Sequence, residues 1–189
     1  MDVLEAIRTR RSIRQYKNTL VDDETIKLVL EAARLAPSWA NTQCWRFVVV
    51  RDSSIKNQLA DMLSKNNPAT NAVRNAPVVI ITCAELGKAG YLRRESGERR
   101  EPATDKGEYW YMFDVAISMQ NLVLAAHSLG LGTVYIGAFD AKGAANILKV
   151  PDGYCVVGLT PLGYPDQNPE PRPRKEISEI VFYEEFARQ

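Results

Sequence analysis

The sequence predicts an α+β fold in which helices pack on a central sheet. Three observations carry this expectation. Stretches with apolar residues at helical spacing alternate with short β-branched runs. The chain opens with two helical stretches, so the strand-first start of a dinucleotide-binding unit is absent. Its 189 residues, 46% hydrophobic and 25% charged, suit one compact domain with one core. The layering follows because every element has an apolar face to bury.

Asp2 stands where it caps a short first helix whose Val3, Leu4 and Ile7 are expected to face inward. Residues 8–17 follow with five basic residues and no acid. Asp22 or Asp23 starts a second helix. Its Ile26, Val29, Leu30 and Ala33 recur at helical spacing, and Pro37 follows its end. Residues 45–51 (WRFVVVR) and 77–83 (PVVIITC) read as buried strands, with a helix and the polar stretch 64–71 between them. Residues 85–108 carry six basic and six acidic residues and are interrupted by Gly87, Gly90, Gly97 and Gly107. This insert reads either as a solvated helical excursion or as a flap over a site.

Residues 110–129 form the strongest helix. Met112, Val115, Ala116, Met119, Leu122, Val123 and Ala126 are expected on its core face, with Ile117 and Leu124 widening it and Gly130 stopping it. A strand at 133–139, a short helix near 141–148 and a strand at 154–164 come next. A Pro-rich basic segment at 168–175 then leads to an apolar tail at 177–186.

Several function classes are excluded by counting. No apolar run approaches the roughly 20 residues of a membrane span, and the N-terminus lacks the apolar stretch of a secretory signal. Cys44, Cys83 and Cys155 form no CxxC pair and read as free thiols of a reducing, cytoplasmic setting. A single histidine, His127, removes most zinc sites, the Ser-His-Asp triad and the Cys-His dyad. We therefore expect no metal and no nucleic acid, the net charge being only +1. Gly130 and Gly132 follow a helix, the wrong order for a dinucleotide turn, and Gly87-Lys88 lacks the glycine five places earlier that a phosphate-binding P-loop requires. Glu184-Glu185 lies close to a chain end.

Three features survive. In Arg10-Arg11-Ser12-Ile13-Arg14, an extended backbone puts Arg10, Ser12 and Arg14 on one side, two guanidinium groups around a hydroxyl. Arg172-Pro173-Arg174 is a second alternating pair, stiffened by Pro171 and Pro173. Each reads either as solvated surface charge or as half of an anion clip. Between helix and strand lies Ala36-Pro37-Ser38-Trp39-Ala40-Asn41-Thr42-Gln43-Cys44-Trp45, where the Asn and Gln amides match the imide edge of a heterocycle.

Together these features resemble the FMN-dependent nitroreductase family. Its members carry an RRSxR-type element, an APSxxNxQPW loop, a GLGTxxIGAF strand and an RPRK clip. Here RRSIR stands at 10–14, APSWANTQCW at 36–45, GLGTVYIGAF at 130–139 and PRPRK at 171–175, in the same order. Cys44 departs from the pattern, which usually has Pro, and residues 64–108 match poorly.

The resemblance implies a nitroreductase-like α+β domain over 1–189, with a mixed or antiparallel central sheet flanked by helices. It also implies an intertwined homodimer with two FMN sites at the subunit interface. Arg10, Arg11, Ser12 and Arg14 would contact FMN from one subunit, with Arg172 and Arg174 joining at the phosphate. Pro37, Ser38, Trp39, Asn41 and Gln43 would come from the other subunit. Ile136 and Gly137 would lie against the ring by backbone, and Asn67 would meet its pyrimidine edge. The phosphate carries about −1.5 to −2 charge, which several arginines neutralise, and Arg14 would stabilise charge gained by the ring on reduction.

The implied activity takes hydride from NAD(P)H and reduces nitroaromatic, quinone or related small-molecule acceptors by a ping-pong mechanism. No catalytic residue is assigned, because flavin N5 carries the chemistry. The same fold with destructase-, dehalogenase- or dehydrogenase-like flavin chemistry stays open, as does a non-catalytic FMN-binding protein. Trp110 and Tyr111 either line the acceptor pocket or belong to the core.

Overall fold

A computed structural model describes residues 1–92 and 101–186. Its sheet contains β1 (Trp45–Val50), β2 (Val78–Glu85), β3 (Gly132–Thr133) and β4 (Tyr154–Gly163). The order is β1-β2-β4-β3 and every ladder is antiparallel. The helices are α1 (Val3–Thr9), α2 (Asp23–Arg34), α3 (Ser53–Asp61), α4 (Thr70–Asn75), α5 (Trp110–Ser128) and α6 (Ala141–Leu148).

The central strand β2 is apolar along its length because both of its faces are covered. Val79, Ile81 and Cys83 pack with Leu59 of α3, Val73 of α4 and Ala144 of α6. Val78 and Ile80 point the other way, onto Val29 of α2 and Leu122 of α5. Each such buried branched side chain contributes about 1.5–3 kcal/mol. The helix starts follow their caps: Asp2 accepts the Glu5 N–H at 2.8 Å and Asp22 accepts the Thr25 N–H at 2.7 Å.

Four local expectations are corrected. Val3, Leu4 and Ile7 face outward, Leu4 being 75% exposed, and only Ala6 of α1 is buried. The apolar stripe on α1 is genuine, but nothing among the described residues covers it. On α5, Met112 and Ala116 also face outward, while Asp114 and Ser118 are buried. Ser118 fits because its hydroxyl donates to the Ala33 carbonyl at 2.8 Å. Strand 133–139 shrinks to Gly132–Thr133, and the chain rejoins the sheet only at the Ile136–Leu159 bridge. Finally, α4 forms at the edge of the polar stretch 64–71 and extends past it, burying Ala72 and Val73.

The insert expected at 85–108 falls partly on 93–100, outside the described residues. Its described limbs meet: Ala103 N–H donates to the Gly90 carbonyl at 2.7 Å, and Tyr91 bridges Pro102. Gly90 is required here, since a Cβ would stand 2.6 Å from both the Gly107 oxygen and Trp110 Cβ. No helix of the described residues is long and apolar enough to cross a membrane.

Candidate active site

The arginine-rich segments converge. A cavity of about 370 Å³ is lined by Arg8, Arg10, Arg11, Ser12 and Arg14 from one end of the chain. The other end contributes Pro169, Glu170, Pro171, Arg172 and Arg174. The N-terminal arm reaches this place by docking on β3. Ile13 N–H donates to the Thr133 carbonyl at 2.8 Å, and Ser12 bridges Thr133. Gly132 allows the approach, because a Cβ there would come within 2.7 Å of Ile13 Cβ. Gln167 donates to the Ser12 carbonyl at 3.5 Å and links the C-terminal arm to the same spot.

Six arginines and one carboxylate, Glu170, therefore share one cavity. Among the described residues none of the six forms an ion pair. Arg11 is tied back to the Arg8 and Arg10 carbonyls at 2.8 and 2.9 Å. Arg10 carries a buried guanidinium nitrogen, Nη1, with no hydrogen-bond partner. Such an arrangement is an anion receptor. Arg8 and Glu170 were not anticipated, although Arg8 belongs to the same basic run in the sequence.

Ile136 and Gly137 differ from each other. The Ile136 N–H and C=O are both used by Leu159 at 3.0 Å, and its side chain is in the core. Gly137 has open space where a Cβ would stand. Asn67 lies beside this segment, but its amide is engaged. Nδ2 donates to the Ala138 carbonyl at 3.2 Å, and Oδ1 accepts the Ala69 N–H at 3.0 Å. The structure thus places Asn67 as a brace next to Gly137: Nδ2 also donates to Ser64 Oγ at 3.5 Å, so a pyrimidine-edge contact would have to displace one of these bonds.

The 36–45 loop is not part of the arginine cavity. Ser38 Oγ accepts the Gln43 N–H at 2.9 Å, and Gln43 Nε2 donates to Asn41 Oδ1 at 3.1 Å. That pairing leaves the Asn41 NH2 and the Gln43 carbonyl pointing their donor and acceptor capacity elsewhere. Pro37 is exposed at the start of the loop. Behind it, the buried Asp114 accepts the Trp39 N–H with both oxygens, at 3.2 and 3.1 Å. Burial raises the Asp114 carboxyl above its ordinary range, against the lowering effect of that N–H. Asp114 was missed, yet it is the one Asp, Glu, Lys or Arg in the sequence of α5, which was the available signal.

Cys44 is wholly buried, with Sγ 3.9 Å from Asp114 Oδ2. Burial, then the Asp114 charge, pushes its thiol up to about 12, so it stays protonated and unreactive. Trp110 is half-buried against Trp39, with ring centroids 4.7 Å apart, and Tyr111 packs beside the same cluster. His127, given no role from sequence, lies 2.8 Å from Thr9 Oγ1, next to Arg10.

Comparison with known proteins shows the family. A Methanothermobacter thermautotrophicus protein whose name pairs NADH dehydrogenase with NAD(P)H nitroreductase is 36% identical over 176 residues, 91% of this chain and 82% of its own. The solved structure of the NADPH:FMN oxidoreductase from Vibrio harveyi complexed with NAD+ superposes with a TM-score of 0.84 at 29% identity, covering 98% of this chain and 78% of that one. A 5,6-dimethylbenzimidazole synthase of Rhodospirillum rubrum is 28% identical over 190 residues, covering 90% of this chain and 86% of its own. The model of the nitroreductase family matches residues 7–164, from the arginine arm to the end of β4. The chain belongs to the nitroreductase family.

Proposed function

We propose that this protein is an NAD(P)H-dependent oxidoreductase that holds FMN and reduces small acceptors, nitroaromatics and quinones among them. The observation that carries the reading is the six-arginine cavity with the unpartnered Arg10 nitrogen. The residues fit the cofactor. A dianionic phosphate would meet guanidinium groups that form no ion pair among the described residues, the unpartnered Arg10 Nη1 among them, and Gly137 leaves its flank open for a flat ring. When bound, FMN supplies two-electron transfer between a nicotinamide and an acceptor.

The chain's own part is binding and exclusion. Arg10, Arg14, Arg172 and Arg174 neutralise the phosphate, with Ser12 beside them, and Arg11 keeps the turn at Arg8–Arg10 rigid. Residues 37–43 of a second copy of the chain complete the site, with Asn41 and Gln43 offering a matched donor and acceptor to the ring edge. The homodimer is supported by the apolar stripe of α1 and by the exposed tail residues Ile177, Ile180, Tyr183 and Phe186. One site used in turn by nicotinamide and acceptor makes the kinetics ping-pong. The dimethylbenzimidazole synthase relative keeps a second reading, flavin-cleaving chemistry on the same fold.

The test is direct. Purified protein is expected to take up FMN, to be bleached by NAD(P)H without oxygen, and to give parallel initial-rate lines with menadione or nitrofurazone. Protein that stays colourless with added FMN overturns the reading. Conversion of reduced FMN in oxygen, without acceptor turnover, favours the second.

A further inference from the structure

The 36–45 loop holds an unlikely conformation. Ala40, Asn41 and Gln43 have φ of 43°, 54° and 47°, left-handed values at three of four consecutive positions with no glycine among them. Left-handed backbone is disfavoured for such residues and persists only where the surroundings over-determine it. Hydrogen bonds inside the loop, Ser38 to Gln43 and Asn41 to Gln43, shape it but do not fix it to the body of the protein.

The loop's C-terminal end is tied to the sheet, where Arg46 Nη1 donates to the Gln43 carbonyl at 3.0 Å and the Glu85 N–H donates to the Cys44 carbonyl at 2.7 Å; its N-terminal end is fixed from α5. Asp114 is 1% exposed and receives the Trp39 N–H on both oxygens, while the Cys44 thiol points at Oδ2 from the far end of the loop. One carboxylate therefore spans residues 39 and 44 and closes the loop between them. On its other side, Trp39 Nε1 donates to the Tyr91 carbonyl at 3.2 Å and anchors the loop to the insert. Around Asp114 the cluster is formed by Trp45, Ala84, Val115 and Met119, with Trp110 packed against it, whose indole N–H also favours the charged carboxylate. Among the described residues no cation pairs with it. A carboxylate buried without a cation costs stability, so its presence is accounted for by what it holds.

We propose that Asp114 is a positioning residue for the flavin ring: it clamps Trp39 and Cys44 so that Asn41 and Gln43 are presented in their left-handed geometry. The inference rests on the FMN reading above and assigns the ring side of that site, as distinct from the phosphate side, to a residue of α5. Cys44, in the place of the family's usual proline, supplies the second hold on the clamp. It acts as a protonated donor and undergoes no redox step.

The experiment compares wild type with Asp114→Asn and Asp114→Ala. The probes are FMN, riboflavin (the same ring without phosphate) and inorganic phosphate as competitor. Both variants are expected to bind FMN and riboflavin at least about tenfold more weakly, the loss expected when the neutral Asn41 and Gln43 amide hydrogen bonds to the ring edge are no longer presented together. Inorganic phosphate is expected to bind within about twofold of wild type, and the flavin midpoint potential to shift. Asp114→Asn, which removes a buried charge, is expected to melt no lower than wild type. Unchanged FMN affinity and potential in both variants overturns the proposal. So does an equal loss for phosphate and riboflavin, which marks general loosening. Wild type that binds phosphate but no FMN overturns the underlying reading instead.

Discussion

Replacing Arg10 by Met keeps the aliphatic stem and removes the charge whose Nη1 is buried without a partner. A hydrogen bond to a charged group is worth about 1.5–3 kcal/mol. FMN affinity should therefore fall roughly 10- to 150-fold, at tenfold per 1.4 kcal/mol. Arg172 and Arg174 line the same cavity but are exposed. Their replacement should cost only a few-fold each, and less as salt rises, because exposed charges are screened within about 8–10 Å.

Riboflavin, which lacks the phosphate, should not distinguish any of the three variants from wild type. Without ligand the sign reverses. A buried polar nitrogen left unpaired costs about 1–3 kcal/mol, and here it sits among five further arginines. Arg10→Met should then raise the melting temperature of the flavin-free protein while it weakens FMN. Fluorescence titration with the two flavins and thermal denaturation measure both signs. If Arg10→Met weakens riboflavin as strongly as FMN, or leaves FMN binding intact, the cavity is not a phosphate receptor.

Other consequences are equally concrete. Burial, then Arg10 and Arg11, lowers the pKa of His127 from 6.5. The unfolded chain thus binds the proton more readily, and stability should fall as pH drops through the ordinary histidine range toward the folded value. His127→Gln should flatten that slope in urea titrations between pH 7.5 and 5, and phosphate, by neutralising the arginines, should raise the histidine's NMR-detected pKa. Gly132→Ala pushes a methyl to within 2.7 Å of Ile13 Cβ. Overpacking of this kind costs about 1–3 kcal/mol, and combining it with Ile13→Ala should recover part of the lost melting temperature. Cys44 and Cys83, buried and pushed up to about 12 and about 11, should resist iodoacetamide at pH 8 until the protein is unfolded, as followed by mass spectrometry.

The parts of the structure governed by local chemistry were readable in advance. Asp2 and Asp22 cap because an acid before an apolar period satisfies free N–H groups. Residues 45–50 and 78–85 are strands because β-branched runs suit a sheet covered on both faces. The convergence of Arg10, Arg14, Arg172 and Arg174 on one cavity was an expectation from motif order, and the chain fulfils it by pairing Ser12 with Thr133. What escaped was set by tertiary context. Asp114 was passed over because its role depends on the Trp39 N–H, which lies 75 residues away in sequence. Asn67 was placed at a ring edge by the resemblance alone, and the engagement of its amide by Ala138 rests on a contact 71 residues away in sequence. The strand at 133–139 looked continuous until Ile136 turned back to Leu159 after a gap.

The failure on α1 carries an argument of its own. Periodicity reports that a face is to be buried, not what buries it. Val3, Leu4 and Ile7 keep their spacing yet lie open, as do Met112 and Phe113 on α5 and the aromatic residues of the tail. Single exposed apolar residues need no explanation, but stripes on two helices and a tail do. In the homodimer proposed above, a second copy of the chain would cover them, bringing its own apolar tail and the 37–43 loop that the arginine cavity lacks. A chain ended after Lys175 should then be smaller in solution by light scattering and should lose FMN, even though every arginine of the clip is retained. A truncated chain that keeps both its size and its flavin would separate the tail from the dimer and return the stripes to an unassigned surface.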